Sequence, residues 1–389
     1  MRDKSNKYRK SRVQTLYFDG IMILFITIFF IYEKNPQIAI VPLFSQVVMK
    51  DVFDQNSTIK IINALLRDEI KASKKCKKCK LHPLSHMDTS TPQDVGVTTV
   101  LRSSAGTVLL SKNIKTVSNM TFIILADDIS YRSINEASKK YIEKCGAIII
   151  NTGQINLDEF FYERYKAKIV LFHAFTQRFY ALIDRMAYFD SQDFLFQDIV
   201  FSEDYEYSRG ITLFPERQKL GNLPEYNEVV RKTKDSGGIR PELLANKGNI
   251  NGCCGAGNPH IIATVFDLVL NDMNYYGKIT DQSMLTYYAY NGHIPFLNLH
   301  PDGLLMADQT PINTSVFGQF REINTIKPIK GQFKWLHHLN YGLPQDFLLR
   351  IYDHCPRDNI HLVNYFPRLH DSVIDDHDKK KKPIEKFNS

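Results

Sequence analysis

Apolar residues form short, dense runs from about residue 93 onward, and stretches with helical character lie between these runs. Residues 122–126 and 147–150 are compact apolar runs of the kind that predicts buried parallel strands. Between them, Ser133 and Glu136 have the spacing of a capping box, which predicts a helix that continues to about Lys144. The three predicted elements make one strand–helix–strand unit of about 30 residues.

The alternation of elements continues toward the C-terminus. Residues 168–172 and 186–189 predict two further strands, and residues 176–183 predict a helix between them. A late strand is predicted at residues 335–336. Strands that alternate with helices in this way are typical of a parallel sheet.

One helix has particularly clear boundaries. Asn258 followed by Pro259 is a favourable N-cap and first-turn pair, apolar residues recur at helical spacing to about Asn274, and Gly277 follows. No internal repeat is present in the sequence. We therefore predict an α/β fold with a mostly parallel central sheet flanked by helices.

The N-terminal segment combines basic charge with an apolar run. Residues 15–32 number 18 and would form about 27 Å of helix, enough to cross the apolar core of a bilayer. A cleaved signal peptide and a buried core helix are the alternatives, but no small-x-small cleavage site follows the run. We predict a transmembrane signal anchor at 15–32, with residues 1–14 cytosolic and the rest in the lumen of the Golgi or the endoplasmic reticulum.

Charge is concentrated at the two ends of the chain. Lys and Arg number 49 and Asp and Glu number 42, so the formal net charge is +7. Residues 1–14 carry +5 and residues 379–389 carry +4, which leaves −2 for residues 15–378. A nearly neutral body has no broad basic face for phosphates, so we expect no nucleic-acid partner.

Composition divides the remaining chain into a stem at 33–92, an α/β domain at 93–370 and a charged tail at 371–389. Within the stem, a Cys/His group offers four potential zinc ligands, but only two residues separate its Cys pair from its His pair. Free thiols or a small disulfide are therefore favoured over zinc. Glycosylation triplets begin at Asn56, Asn119 and Asn313, as a lumenal body would allow. The stem group consists of Cys76, Cys79, His82 and His86.

Candidate chemistry lies at the end of the strand predicted at 186–189. Asp190 and Asp193 follow this buried strand, between aromatic residues. Two carboxylates at such a position need a compensating charge, and Mg²⁺ or Mn²⁺ prefers such oxygen ligands. The alternative is that both aspartates are turn residues that cap the following segment.

This region resembles a known group of enzymes. Arg178-Phe179-Tyr180, followed by the segment at 188–197, is similar to the donor site of GT-A-fold nucleotide-diphospho-sugar transferases, closest to glycosyltransferase family 8-like enzymes. Three further segments follow in the order of that family, and the resemblance spans about residues 120–345. They are the glycine-rich run at 251–257, Thr280-Asp281-Gln282, and Trp335-Leu336-His337.

The resemblance implies a GT-A, Rossmann-like fold and a metal-dependent glycosyltransferase. Its donor would be a UDP-linked nucleotide sugar, and its acceptor a glycan or glycoprotein. By resemblance, Mn²⁺ or Mg²⁺ would be bound by Asp190, Asp193 and His337. The donor would contact Arg178, Asp190, Asn251 and Gly252, and the catalytic residues would be Asp281 and Gln282.

Two departures from the family pattern leave alternatives open. The aspartates form Asp-x-x-Asp rather than Asp-x-Asp, so they converge only if the chain turns between them. The Lys-Pro-Trp signature is absent near His337, and His338 is an alternative ligand. A catalytically silent lumenal protein of the same fold, or a glycoside hydrolase with paired carboxylates, would also fit the sequence.

Two further features of the 251–257 run bear on the site. The glycines at its end would either hold an anion at the start of the next helix or allow two backbone segments to pass closely. Cys253 and Cys254 have no base nearby in the sequence, so we expect both to fill the core.

Overall fold

The structure is a computed structural model that describes residues 52–69, 76–81, 88–155, 161–192, 194–201, 209–300, 304–306, 335–337 and 345–356. The strands of this part are β1 Asp94–Val100, β2 Thr121–Ala126, β3 Ile148–Asn151, β4 Arg185–Asp190, β5 Leu195–Phe196, β6 Ile211–Lys219, β7 Gly248–Gly257, β8 Leu297–Leu299, β9 Leu304–Met306 and β10 Trp335–His337. The α-helices are α1 Gln55–Leu65, α2 Thr107–Val117, α3 Asp128–Ser133, α4 Glu136–Lys144, α5 Phe161–Phe179, α6 Glu225–Ser236, α7 Pro241–Leu244, α8 Pro259–Tyr276, α9 Asp281–Tyr290 and α10 Gln345–His354.

Seven strands form the central sheet in the order β3-β2-β1-β4-β7-β6-β8. Every strand of this sheet runs in one direction except β7, which pairs antiparallel with both β4 and β6. A smaller sheet has the order β5-β10-β9. The predicted α/β fold with a mostly parallel central sheet is thus confirmed.

Buried side chains cover both faces of the central sheet. In β2, Phe122 and Ile124 belong to one core cluster, and Ile123 and Leu125 belong to the other. This alternation follows from the two-residue period of a strand. The first cluster includes apolar residues of α2 and α4, and the second includes those of α5, α8 and α9. Both faces are therefore covered by helices, as a largely parallel sheet requires.

The strand predicted at 168–172 is wrong, because these residues lie inside the 19-residue helix α5. Part of the helix predicted at 176–183 belongs to α5 as well, and Tyr180–Leu182 form a 3₁₀ turn. A short apolar run reads equally well as a buried strand or a buried helix. Phe172 lies against both Tyr188 of β4 and Phe266 of α8, so α5 is covered on more than one side.

The capping box predicted at Ser133 is also wrong. Helix α4 has its N-cap two residues later, at Asn135, whose side chain accepts a hydrogen bond from the Ser138 N–H at 2.8 Å. The Ser133 hydroxyl instead donates to the Ser130 carbonyl, at the end of the short helix α3. Two capping residues lie close together in the sequence, and tertiary packing selects between them.

The predicted boundaries of α8 are confirmed to within two residues. The Asn258 side chain accepts hydrogen bonds from the N–H groups of His260 and Ile261. The helix ends at Tyr276, and Gly277 follows it with a φ of 70°, a left-handed value that suits glycine.

The glycines at 255 and 257 belong to strand β7. A Cβ added to Gly257 would lie 2.2 Å from the carbonyl oxygen of Gly210. Of the two predicted roles for this glycine-rich run, the structure therefore supports close passage of two backbone segments.

Two disulfides join distant parts of the chain, Cys76 to Cys145 and Cys79 to Cys355. They exclude these cysteines as zinc ligands, whereas His82 and His86 lie outside the described residues. Cys76 and Cys79 pack in one core cluster, and Ile61 of α1 packs in the other. These parts of the predicted stem are therefore packed against the α/β body.

None of the helices in the described part of the chain combines the length and apolar character that a membrane crossing requires. The anchor predicted at 15–32 and the tails predicted at 1–14 and 371–389 lie outside the described residues.

Candidate functional site

The strand order reverses direction between β1 and β4. From β1 the chain adds β2 and then β3 on one side, and it later crosses to place β4 on the other side of β1. In open α/β sheets, ligands bind in the crevice that such a reversal opens at the carboxyl ends of the strands. Strand β4 ends at Asp190, so this residue lies at the expected position.

His337 approaches Asp190 from a distant part of the sequence. Strand β10 pairs with β5, and its Trp335 packs among Phe194, Phe196 and Phe214. This aromatic packing positions the end of β10, where His337 Nε2 lies 3.7 Å from Asp190 Oδ2. The structure thus brings together two of the three predicted metal ligands. Asp193 and His338 lie outside the described residues.

Cys253 is a third potential ligand in the same place. The antiparallel register of β4 and β7 pairs Phe189 with Cys254, which places Cys253 beside Asp190. One ligand atom each from Asp190, Cys253 and His337 lies within 4.8 Å of the others. Cys254 is fully buried in the core as expected, whereas the prediction that Cys253 only fills the core overlooked its position at this cluster.

Lys168 is a central residue of the site that the sequence analysis missed. It projects from α5, and its side chain is only 7% exposed. Its Nζ lies 3.0 Å from Asp281 Oδ2 and 3.6 Å from Asp190 Oδ1, and it donates to the Gly252 carbonyl at 3.3 Å. A single lysine on an otherwise apolar helix face was the available signal, but the prediction of a strand at 168–172 concealed it.

The charges of the cluster alter one another's pKa values. Burial by itself would raise the pKa of Asp190, but Lys168 and then His337 outweigh burial and hold it well below its usual range. Burial would lower the pKa of Lys168, yet Asp190 and Asp281 raise it well above normal. For Asp281, burial outweighs the effect of Lys168 and raises the pKa of the carboxyl group. Because the pKa of Lys168 is raised, this residue is an ammonium ion at neutral pH.

Burial also raises the pKa of the Cys253 thiol well above its usual value, and Asp190 adds to this effect while Lys168 opposes it. The side chain is consequently a neutral thiol while no cation occupies the cluster. A neutral thiol is a weak nucleophile, which argues against Cys253 as an unaided nucleophilic catalyst.

Asp281 is the first residue of α9, whose N-cap is Thr280. Its Oδ1 accepts a hydrogen bond from the Gln282 N–H at 3.0 Å. The carboxylate lies against Gly252, where an added Cβ would be 3.1 Å from Asp281 Oδ2. Glycine at 252 therefore leaves room for this carboxylate beside β7.

Asn251 and Gln282 are held by a carboxylate that the sequence analysis also missed. Glu216 of β6, which is 7% exposed, accepts hydrogen bonds from Asn251 Nδ2 at 3.1 Å and from Gln282 Nε2 at 2.5 Å. Asn251 Oδ1 in turn accepts from the Cys253 N–H at 2.9 Å. The polar groups of β6, β7 and α9 thus form one connected network behind the cluster.

Arg178 lies apart from these residues. It is an exposed residue in the last turn of α5, ten positions after Lys168, which corresponds to about 15 Å along the helix axis. Its predicted contact with a donor phosphate stays a prediction.

Asp190, Cys253 and His337 together supply oxygen, sulfur and nitrogen donors that fit a divalent cation. Lys168 lies near Oδ1 of Asp190, whereas His337 lies near Oδ2. The site therefore also contains a positively charged side chain of the protein itself. Comparison of the chain with models of known protein families and with curated protein sequences gives no match.

Proposed function

We propose that this protein is a metal-dependent glycosyltransferase that moves a sugar from a UDP-linked nucleotide-diphospho-sugar to a glycan or glycoprotein. The observation that carries the proposal is the approach of His337 to within 3.7 Å of Asp190 at the carboxyl end of the central sheet. Groups more than 140 positions apart in sequence meet where an α/β sheet binds its ligands.

The chemistry requires positive charge near the leaving group. When the sugar departs, the two phosphates of the nucleotide gain negative charge, and a bound Mn²⁺ or Mg²⁺ supplies stabilisation for it. Asp190 and His337 would hold this cation, with Asp193 as the further predicted ligand. Lys168, which is fixed by Asp190 and Asp281, adds a second positive charge to the same site.

Contacts with neighbouring residues hold both members of the proposed catalytic pair. Asp281 is positioned by Lys168 and by the absence of a side chain at Gly252. The Gln282 amide nitrogen is held by Glu216. We assign Asp281 and Gln282 to the face where the sugar is transferred, because preorganised polar groups stabilise developing charge without reorganisation.

The cellular setting is part of the same proposal. Disulfides persist in oxidising compartments, and two join the described parts of this chain. This observation supports a body in the Golgi or endoplasmic reticulum lumen, held at the membrane by the anchor proposed at 15–32.

The test is sugar transfer by the purified full-length chain with a panel of UDP- and GDP-sugars. We expect hydrolysis or transfer from one donor only when Mn²⁺ or Mg²⁺ is present, and its loss with EDTA. Asp190→Asn and His337→Gln should abolish it, whereas Asp128→Asn, on a surface ion pair with Arg132, should not. Absence of activity with every donor, together with absence of metal-dependent nucleotide binding, would contradict the proposal.

A catalytically silent lumenal binding protein is the second candidate, and Lys168 is the observation that favours it. This lysine compensates Asp190 and Asp281 without any metal, so the carboxylates alone do not demand a cation. Calorimetry with UDP and Mn²⁺ separates the candidates, since the silent protein should show no metal-coupled nucleotide binding. Because both carboxylates contact one lysine instead of facing each other across a cleft, we do not propose a glycoside hydrolase.

A further inference from the structure

We propose that Cys253 is a metal ligand alongside Asp190 and His337, and that this makes the site selective for Zn²⁺-like cations over Mn²⁺ and Mg²⁺. The inference rests on the metal site of the proposed function and concerns only the relative affinity of that site for different cations. Zn²⁺ would bind more tightly, and Mn²⁺ or Mg²⁺ would bind where Zn²⁺ is absent. It concerns a residue whose sequence context suggested nothing more than core packing.

The geometry of the three donor atoms suits one small cation. They lie within 4.8 Å of one another, and the distance between His337 Nε2 and Asp190 Oδ2 is 3.7 Å. Ligand atoms around a tetrahedral zinc are about 3.3–3.7 Å apart, as follows from bond lengths of about 2.0–2.3 Å. Small side-chain movements would therefore close the site around the ion.

The exposure of the three ligand side chains indicates the side from which a cation would enter the site. His337 is 1% exposed and Cys253 is 8% exposed, whereas the Asp190 side chain is 29% exposed. The cation would enter past Asp190, and a fourth coordination position would stay open on that side. Lys168 lies nearer to Oδ1 of Asp190 and His337 nearer to Oδ2, so the carboxylate would bind the metal through one oxygen.

The donor set decides the selectivity. Mn²⁺ and Mg²⁺ favour sites made of oxygen ligands, whereas a thiolate with an imidazole favours Zn²⁺ and related borderline cations such as Co²⁺. On binding, the Cys253 S–H bond breaks, a sulfur–metal bond forms, and the proton passes to solvent. The charge of the metal is then partly neutralised by the thiolate and by the Asp190 carboxylate.

The neighbouring Cys254 provides a matched control. It is also a free buried cysteine, but it lies in the core cluster with Phe189 and Trp335 instead of among the three donors. A Cys→Ser change has the same size at both positions, so an effect of lost sulfur coordination should appear at 253 alone.

The experiment is titration of the full-length chain, with disulfides intact and no thiol reductant, first with Co²⁺ and then with Zn²⁺ and Mn²⁺. We expect a thiolate-to-cobalt charge-transfer absorption that Cys253→Ser eliminates and Cys254→Ser retains. The Zn²⁺ affinity should fall at least about 100-fold in Cys253→Ser. This loss exceeds the one that is typical when a residue that only hydrogen-bonds to a metal ligand is replaced. The Mn²⁺ affinity should fall much less, so the Zn²⁺/Mn²⁺ selectivity should decrease.

Melting temperatures of both variants, and of Cys253→Ala, establish that each is folded at the temperature of titration. An absent cobalt–thiolate band in the wild type, or equal Zn²⁺ affinities for the wild type and Cys253→Ser, would overturn the inference. Donor turnover with Mn²⁺ would still support the proposed function in either case. Conversely, a cobalt–thiolate band with neither donor turnover nor metal-dependent nucleotide binding would support the metal site and contradict sugar transfer.

Discussion

Lys168 compensates two carboxylates that would otherwise face each other in a largely buried position. Its ammonium group contacts both Asp190 and Asp281, and its own side chain is 7% exposed. A buried charge is tolerated only with a partner and hydrogen bonds, and removal of one partner leaves the other uncompensated. The stability of the site should therefore depend strongly on this one residue.

We predict that Lys168→Met, which retains the length of the side chain, lowers the free energy of unfolding by about 3–5 kcal/mol. The cost arises because Asp190 and Asp281 lose their shared cation. Urea denaturation at pH 7 measures the change. Lys60→Met is the control, because Lys60 and Glu143 form an exposed pair and its loss should cost at most about 1 kcal/mol. Equal losses in both variants would show that Lys168 has no special role.

The Asp190 carboxylate should make stability dependent on pH. Its pKa in the folded protein is lowered by Lys168 and His337, so the charged form is favoured by folding. That contribution is present above the unfolded pKa and is lost as pH falls toward the folded pKa. In metal-free buffer, the stability difference between the wild type and Asp190→Asn should therefore shrink from about pH 5 to about pH 2. A difference that is constant with pH would contradict this expectation.

At the scale of elements, the site depends on where strands and helices end. Asp190 ends β4, His337 ends β10, and Asp281 begins α9. Backbone ends present side chains to a crevice, whereas the middle of an element is occupied by packing. Lys168 and Cys253 are exceptions, because they reach the cluster from within α5 and from within β7.

The capping of helix α8 by the Asn258 side chain can be tested by substitution. The Asn258 side chain accepts hydrogen bonds from two N–H groups of the first turn that have no partner within the helix. Asn258→Ala should lower the free energy of unfolding by about 1 kcal/mol, and Asn258→Ser should retain most of the stability. Thermal or chemical denaturation measures both changes. If serine proved as costly as alanine, the capping bond would not be the cause.

At the scale of the whole molecule, the two disulfides join segments that are far apart in sequence. Cys76 and Cys145 are 69 positions apart, and Cys79 and Cys355 are 276 positions apart. Closure of long loops restricts the unfolded chain, which stabilises the folded state in proportion to the entropy removed.

We predict that Cys355→Ser lowers the free energy of unfolding by about 2–5 kcal/mol, and that Cys145→Ser costs no more than this because its loop is shorter. Peptide mapping without reduction should find the 76–145 and 79–355 pairs. Cys253 and Cys254 should react with an alkylating reagent only after unfolding, because both are buried. A 76–79 pair in the peptide map would contradict the pairing.

Local signals in the sequence were sufficient for several elements. The runs at 122–126 and 147–150 predicted β2 and β3, and Asn258, Pro259 and Gly277 predicted the limits of α8. Each of these rests on residues within one turn or one strand of each other. The position of Asp190 at a strand tip was equally accessible, because it follows directly from where β4 ends.

The sequence alone determined the α/β class, the tip of β4 and the capping of α8, since hydrophobic period and capping act over a few residues. Tertiary structure decided that 168–172 is helix, that Lys168 lies between Asp190 and Asp281, and that Cys253 lies beside His337. These outcomes depend on which distant strands pair and which helix covers the sheet. Such contacts depend on free energies summed over the whole core, and no short window of sequence contains them.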